Sequence, residues 1–283
     1  MGAPRILVID GNRAVTRQQQ VAAGGSPSGE GYVQVLESLH PGLRCDIVRP
    51  ADAAVSLPDG VSLDAYNGVA ITGSALNIYE GGPHIERQIE LLRAVFDAGV
   101  PCFGSCWGLQ LAVTVAGGSV CANPLGREFG FGRRIALSAA GRTHQMYSGK
   151  PEVFEAVTVH RDAIARPPPA MVELARNEMG LQAAEIRCGR SVFWGVQYHP
   201  EYSFTELAAT ALRYGEVLVS EGLFRDRADL DNYVSELRTL QNQPDDSRLT
   251  WHHGLGAALS NPSMKLAEIS NWLRSQVLPA VAL

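Results

Sequence analysis

The first half of the chain alternates short apolar runs with segments of helical periodicity, and this alternation constrains the fold more tightly than any other feature. Arg5-Ile-Leu-Val-Ile-Asp10 reads as a buried strand ended by Gly11-Asn12. Tyr32 to Leu39 carries apolar residues at helical spacing, and Cys45 to Arg49 and Gly68 to Thr72 read as further strands. From His84 to Ala98, residues Ile85, Ile89, Leu92 and Phe96 fall on one helical face. Pro101 to Gly104 is a short strand running directly into a helix from Cys106 to Ala116, which Gly117-Gly118 stops. Such alternation predicts a parallel sheet with helices on both faces.

From about residue 119 to 200 the pattern changes. Short β-like runs at Arg133 to Leu137, Val153 to Val159, Met171 to Ala175, Ala183 to Arg187 and Val192 to Gln197 lie between Gly, Pro and Asn turns. They predict hairpins and mixed strands that complete the sheet, and Phe204 to Leu218 reads as a helix closing the domain. Residues 12–29 read as a long polar loop at the carboxyl edge of the sheet, where ligands bind in such folds; it would be a surface linker or a lid. The organisation expected is a catalytic domain over 1–222 and a helical extension over 223–283, the latter serving as extra packing, a dimer contact or a partner dock.

At 283 residues the chain can bury one substantial core with an appendage. With 46% hydrophobic and 19% charged residues it has globular composition. A net charge of −5 argues against nucleic-acid binding through a basic surface. Apolar runs are too short for a membrane span, and the first ten residues lack the form of a signal peptide. The five scattered cysteines suit a reduced, cytoplasmic protein better than a disulfide framework.

Gly104-Ser-Cys-Trp-Gly108 sits where a strand becomes a helix, the arrangement that displays a nucleophile on a sharp turn. Flanking glycines avoid Cβ clashes there, the helix N-terminus favours a thiolate on Cys106, and the turn aims the Trp107 N–H at an oxyanion. Cys45, Cys102, Cys121 and Cys188 read as structural. In Tyr198-His-Pro-Glu-Tyr202 the proline biases His199 toward extended backbone, so His199 and Glu201 project the same way. Glu201 can then fix the imidazole tautomer while the other nitrogen faces the thiol. His84, His144, His252 and His253 read as surface or capping residues, no metal site is evident, and no glycine-rich phosphate loop is present.

These two motifs, in this order, resemble the class I glutamine amidotransferases, and within them the amidotransferase domain of GMP synthase and its free-standing relatives. The elbow matches as Gly104-Ser-Cys-Trp-Gly-Leu-Gln110 and the closing motif as His199-Pro-Glu201. Ile71-Thr-Gly-Ser-Ala-Leu-Asn-Ile-Tyr79 lies where that family places the other oxyanion donor, and Val159-His-Arg-Asp162 resembles its His-x-Asp segment. The resemblance runs from about residue 5 to 215.

It implies a flavodoxin-like three-layer α/β sandwich with a mostly parallel central sheet, and no cofactor. It also implies thioester chemistry on Cys106 with His199 and Glu201. The oxyanion would be held by the N–H groups of Ser74 and Trp107, and the substrate contacted by Gly73, Gln110, His160 and Asp162. Many family members carry Gly-Gly in the oxyanion loop, whereas this chain has Gly73-Ser74, whose Cβ restricts peptide flipping. About 65 residues follow the matched region and lack a nucleotide loop, so the acceptor chemistry of GMP synthase is not expected here. Three readings stay open: a free-standing hydrolase of glutamine or a γ-glutamyl amide, a glutaminase subunit serving a separate synthetase, and a non-catalytic binding module.

Overall fold

The computed structural model describes residues 3–281. Its centre is a nine-stranded sheet in the order β2-β1-β3-β4-β11-β10-β9-β6-β7. Strands β1 (Arg5–Ile9), β2 (Arg44–Val48), β3 (Gly68–Ile71), β4 (Cys102–Ser105) and β11 (Ser191–Val196) run parallel. Strands β6 (Glu128–Leu137), β7 (Val153–His160), β9 (Met171–Asn177) and β10 (Gly180–Cys188) complete the sheet in antiparallel fashion. The sheet is thus mixed, parallel over five strands and antiparallel beyond β11. A separate pair, β5 (Ser119–Ala122) and β8 (Asp162–Arg166), forms a small two-stranded sheet that periodicity did not predict.

The three layers follow from which side chains each helix buries. Helix α2 (Ser28–Leu39) sets Tyr32 and Leu36 on one face of the sheet, while α3 (Pro83–Ala98) and α4 (Trp107–Val115) bury Ile85, Leu92, Leu109 and Val113 on the other. α4 ends where Gly117 takes a left-handed φ of 91°.

Residues 12–29 are not the expected loop. They form α1 (Ala14–Ala22), after which α2 begins at Ser28. Helix α1 has no apolar stripe. Its inward residue is Gln20, bonded through Nε2 to Glu206 Oε2 and Thr210 Oγ1 at 3.1 Å each. Arg17 pairs with Asp52 at 2.5 Å. Polar anchors on distant residues hold the helix, so hydrophobic periodicity carried no trace of it. The single helix expected over 204–218 is two, α6 (Phe204–Arg213) and α7 (Gly215–Ser220). They meet at Tyr214, which leaves helical geometry immediately before a glycine.

A short α5 (Ala139–Thr143) lies between β6 and β7. After α7 the chain continues through α8 (Arg227–Asn242), α9 (Ser247–His252), α10 (Ala257–Ser260), α11 (Pro262–Lys265) and α12 (Ala267–Trp272). These helices pack into the cores of the sheet. Leu230, Val234 and Leu237 of α8 meet Leu207 and Ala211 of α6. Trp272 lies beneath β3, where a Cβ on Gly68 would stand 2.8 Å from its Cζ2, and is 6.0 Å from the Phe103 ring. Burying an indole removes on the order of 200 Å² of apolar surface, worth several kcal/mol. Glu268 of α12 pairs with the buried Lys150 and accepts from Tyr198 Oη at 2.5 Å.

Candidate active site

β4 ends in a turn that strains its own residue. Cys106 has φ 50° and ψ −97°, a conformation that a residue with a Cβ adopts only when its surroundings impose it. The imposition comes from both sides. The Cys106 N–H donates to Val196 O at 2.7 Å, and α4 begins at the next residue. A Cβ on Gly104 would meet Phe193 Cζ at 2.7 Å, and one on Gly108 would meet Ile71 O at 2.9 Å, so the turn is possible only with glycine at both places. Cys106 is 4% exposed, with Sγ 3.8 Å from Val159 O, at the positive end of a helix.

The register of β4 on β11 brings the second motif to the first. Ser105 pairs with Val196, so the chain leaving β11 passes the thiol and reaches His199, whose N–H donates to Val157 O at 2.7 Å. His199 Nδ1 contacts Glu201 Oε1 at 2.8 Å, which places the proton on Nδ1 and leaves Nε2 for the thiol. Tyr202 stacks on the imidazole with centroids 4.1 Å apart, and Gly73 abuts its Cε1 edge, where a Cβ would lie at 2.5 Å. Burial opposes a charge on His199. The Glu201 carboxylate and the hydrogen bond to Cys106 outweigh it and raise the pKa to about 10.

The second oxygen of Glu201 is also held. Ser105 Oγ donates to Oε2 at 2.8 Å, and Tyr32 Oη lies 3.2 Å beyond. Ser105, Tyr32 and Tyr202 were not among the expected site residues. The period of β4 carried a signal for Ser105, since it shares a face with Phe103 on the α2 side.

The Gly73–Ser74 peptide is anchored by its carbonyl, which accepts from Asn12 Nδ2 at 3.1 Å and Thr72 Oγ1 at 2.8 Å. The Ser74 N–H therefore lies on the opposite side of the peptide plane. Ser74 Oγ donates to Gly11 O at 2.9 Å, a further restraint on flipping. Trp107 is the first residue of α4, so its N–H has no partner within the helix.

The remaining expected contacts are placed differently. Gln110 is buried, with Nε2 3.4 Å from Gln197 Oε1. His160 is engaged on both nitrogens, with Glu128 Oε2 at 2.8 Å and Asp162 O at 3.1 Å. Asp162 accepts from Tyr79 Oη at 3.0 Å, and burial raises its pKa. Neither His160 nor Asp162 lines the cavity that touches His199 and Ser74. That cavity is small, about 20 Å³, and Thr16 and Gln20 of α1 line it together with Arg213 and Tyr214. Behind the imidazole–carboxylate pair, Glu201, Tyr32 and Tyr202 border a larger cavity of about 200 Å³. The metal-ligand cluster found among the described residues, Glu236, His252 and His253, shares no residue with this site.

The arrangement is one that could serve a cysteine nucleophile with an oriented imidazole, and comparison with known proteins gives the family. The family model of glutamine amidotransferase class-I matches residues 31–215. The γ-glutamyl-L-1-hydroxyisopropylamide hydrolase of a Pseudomonas species is 34% identical over 280 residues, 97% of this chain and 94% of that protein. GMP synthase of Streptomyces avermitilis is 32% identical over 47% of this chain but only 23% of its own length. A glutamine amidotransferase structure from Thermotoga maritima shares the fold, with a TM-score of 0.63 at 18% identity over 89% of this chain and 99% of that one. One from Methylobacillus flagellatus has a TM-score of 0.57 at 18% identity, over 86% and 95%. The chain belongs to the class I glutamine amidotransferase family and is an amide hydrolase of that type.

Proposed function

We propose that this protein hydrolyses the γ-amide of a γ-glutamyl amide, glutamine included, through a γ-glutamyl thioester on Cys106. Cys106 Sγ attacks the amide carbon and His199 Nε2 carries the proton to the departing nitrogen, so that an amine or ammonia leaves. Water, deprotonated by the same imidazole, then releases glutamate and restores the thiol. Glu201 orients His199 and offsets its charge. The N–H groups of Ser74 and Trp107 hold the oxyanion; losing one such donor typically costs about 10²–10³ in rate. Gly73 acts by setting the ring position, and Gln110, His160 and Asp162 support the substrate pocket through their neighbours.

The observation that carries this reading is the conjunction at one point of the strained Cys106, the anchored Gly73–Ser74 peptide and the His199–Glu201 pair. A γ-glutamyl amide of a small amine is favoured over glutamine because the likeness to the Pseudomonas hydrolase extends over almost the whole chain. We take residues 1–222 as the catalytic unit and 223–283 as its helical extension. The five cysteines, all free thiols, support a cytoplasmic setting.

The test is glutamate release from γ-glutamyl alkylamides and from glutamine, with Cys106→Ala as control. Release from the alkylamides, abolished in the variant, is expected. A second reading, a glutaminase subunit that feeds ammonia to a synthetase, is favoured by the roughly 20 Å³ of space beside His199. On that reading the isolated chain is idle toward every amide until its partner opens α1.

A further inference from the structure

The C-terminal helices hold a second cluster of ligand-type side chains. Glu236 on α8 and His252 and His253 at the end of α9 bring one carboxylate oxygen and two imidazole nitrogens within 4.8 Å of one another. Both rings address the same atom: Glu236 Oε2 lies 2.9 Å from His253 Nε2 and 3.7 Å from His252 Nε2. The other oxygen, Oε1, accepts from Asn232 Nδ2 at 3.1 Å, which fixes the orientation of the carboxylate. His253 is only 9% exposed, not the surface residue that its sequence context suggested. Its Nε2 is buried without a hydrogen bond, because the 2.9 Å approach lacks N–H···O alignment.

Hydrogen bonding leaves this convergence incomplete, since the buried His253 Nε2 has no hydrogen-bond partner. Two imidazoles donating to one oxygen would both carry a proton on Nε2. Their centroids are 4.8 Å apart, and the Arg133 guanidinium donates to the carbonyls of His253 and Gly254 alongside them. A neutral ring offers a lone pair, the form in which histidine binds metal.

We propose that Glu236, His252 and His253 form a binding site for a zinc-type divalent cation, with water completing its coordination on the exposed His252 side. Two imidazoles and one carboxylate suit zinc rather than magnesium or calcium, which take oxygen ligands. Metal–ligand bonds of about 2.0–2.1 Å in tetrahedral geometry set neighbouring ligand atoms about 3.3 Å apart. The two separations from Oε2, 2.9 and 3.7 Å, straddle that value. The His252 side chain, 62% exposed, has the freedom to close the remaining gap. Such an ion ties the end of α9 to α8. It also ties both to β6, whose Phe131 ring lies 5.8 Å from that of His253. Its role is to fix the C-terminal helices, leaving the reaction to Cys106.

The experiment uses the full chain carrying Cys106→Ala, so that the nucleophile takes up no metal. After chelator treatment and dialysis, ZnCl2 is titrated against a chromophoric chelator and thermal melting is followed with ZnCl2 or MgCl2. One zinc per chain is expected, with a Tm raised by zinc and not by magnesium. His252→Ala, which alters an exposed side chain, and Glu236→Gln should each weaken zinc binding at least ten-fold. Failure to bind one zinc per chain, or binding unchanged in both variants, overturns the site.

Discussion

Replacing Gly73 by alanine is the sharpest test of how the imidazole is held. The new methyl would stand 2.5 Å from His199 Cε1 and 3.4 Å from both Nδ1 and Nε2. Carbon atoms rest at about 3.5–4.0 Å, so the ring must retreat by about 1 Å. Equal distances to the two nitrogens place the methyl near the axis of the ring, so the push stretches the bonds to Glu201 and to the thiol together. Tyr202, stacked at 4.1 Å, blocks escape across one face. Gly73 itself lies outside the left-handed region, so alanine adds no backbone strain. The small cavity that His199 borders, and the larger one that Glu201 borders, give the pair room to yield without unfolding the chain. A misplacement of about 1 Å costs roughly 10²-fold in rate, equivalent to about 2.7 kcal/mol of barrier.

The assay pairs steady-state glutamate release with alkylation of Cys106 by iodoacetamide and a thermal melt. Gly73→Ala should lower kcat by about 10²-fold, leave KM within a few-fold and slow alkylation, while the protein melts as a folded domain. Wild-type kcat in the folded variant would refute the contact. Slow turnover with unchanged alkylation would place the defect in the oxyanion peptide and sink the argument about the ring.

Three further outcomes follow from the same geometry. Glu201→Gln leaves the packing intact but removes the partner that fixes the Nδ1 proton, so kcat should fall by roughly 10³–10⁴; a loss below ten-fold in steady-state assays would deny Glu201 its orienting role. The His199 pKa of about 10 lies above its ordinary 6.5, so its contribution to stability is complete below pH 6.5 and is lost as pH rises through 10. Urea melts from pH 6 to 10 should show this decline in the wild type and a shallower one in His199→Gln; identical slopes would contradict it. Glu206 accepts from Gln20 Nε2 and, at 2.8 Å, from Ser26 N, so Glu206→Ala should loosen α1 and speed alkylation of Cys106 several-fold. An unchanged rate would show that α1 does not limit access.

Much of the fold was legible because its signals are local. Ile6 to Ile9 are apolar throughout and β-branched at all but Leu7, as suits a strand buried on both faces, and α3 repeats its apolar residues at helical spacing. The elbow could be read because its glycines flank a cysteine where a strand turns directly into a helix, although the atoms that demand them, on Phe193 and Ile71, lie elsewhere in the chain. Helix α1 could not be read, since Gln20 finds its partners on α6, almost two hundred residues later. The sequence pattern likewise gave no sign that Glu128 engages His160, or that Gly73 presses on a ring rather than facing open space. Such contacts depend on where distant strands arrive.

The antiparallel half of the sheet explains how a buried His199 comes to be so firmly placed. β7 stands at the far end of the strand order from β2, four strands removed from β11, yet Val157 O accepts the N–H of His199. Val159 O, two residues on, approaches the thiol at 3.8 Å. The sheet must therefore curl until its last strand returns to the carboxyl end of β11, which strand twist accumulated over several antiparallel pairs makes possible. Cys106 and His199 are thus fixed twice, by β4 on β11 beneath them and by the edge of β7 beside them. With its own N–H bonded to Val157, Nδ1 on Glu201 and Tyr202 over one face, His199 has little freedom left except toward Cys106.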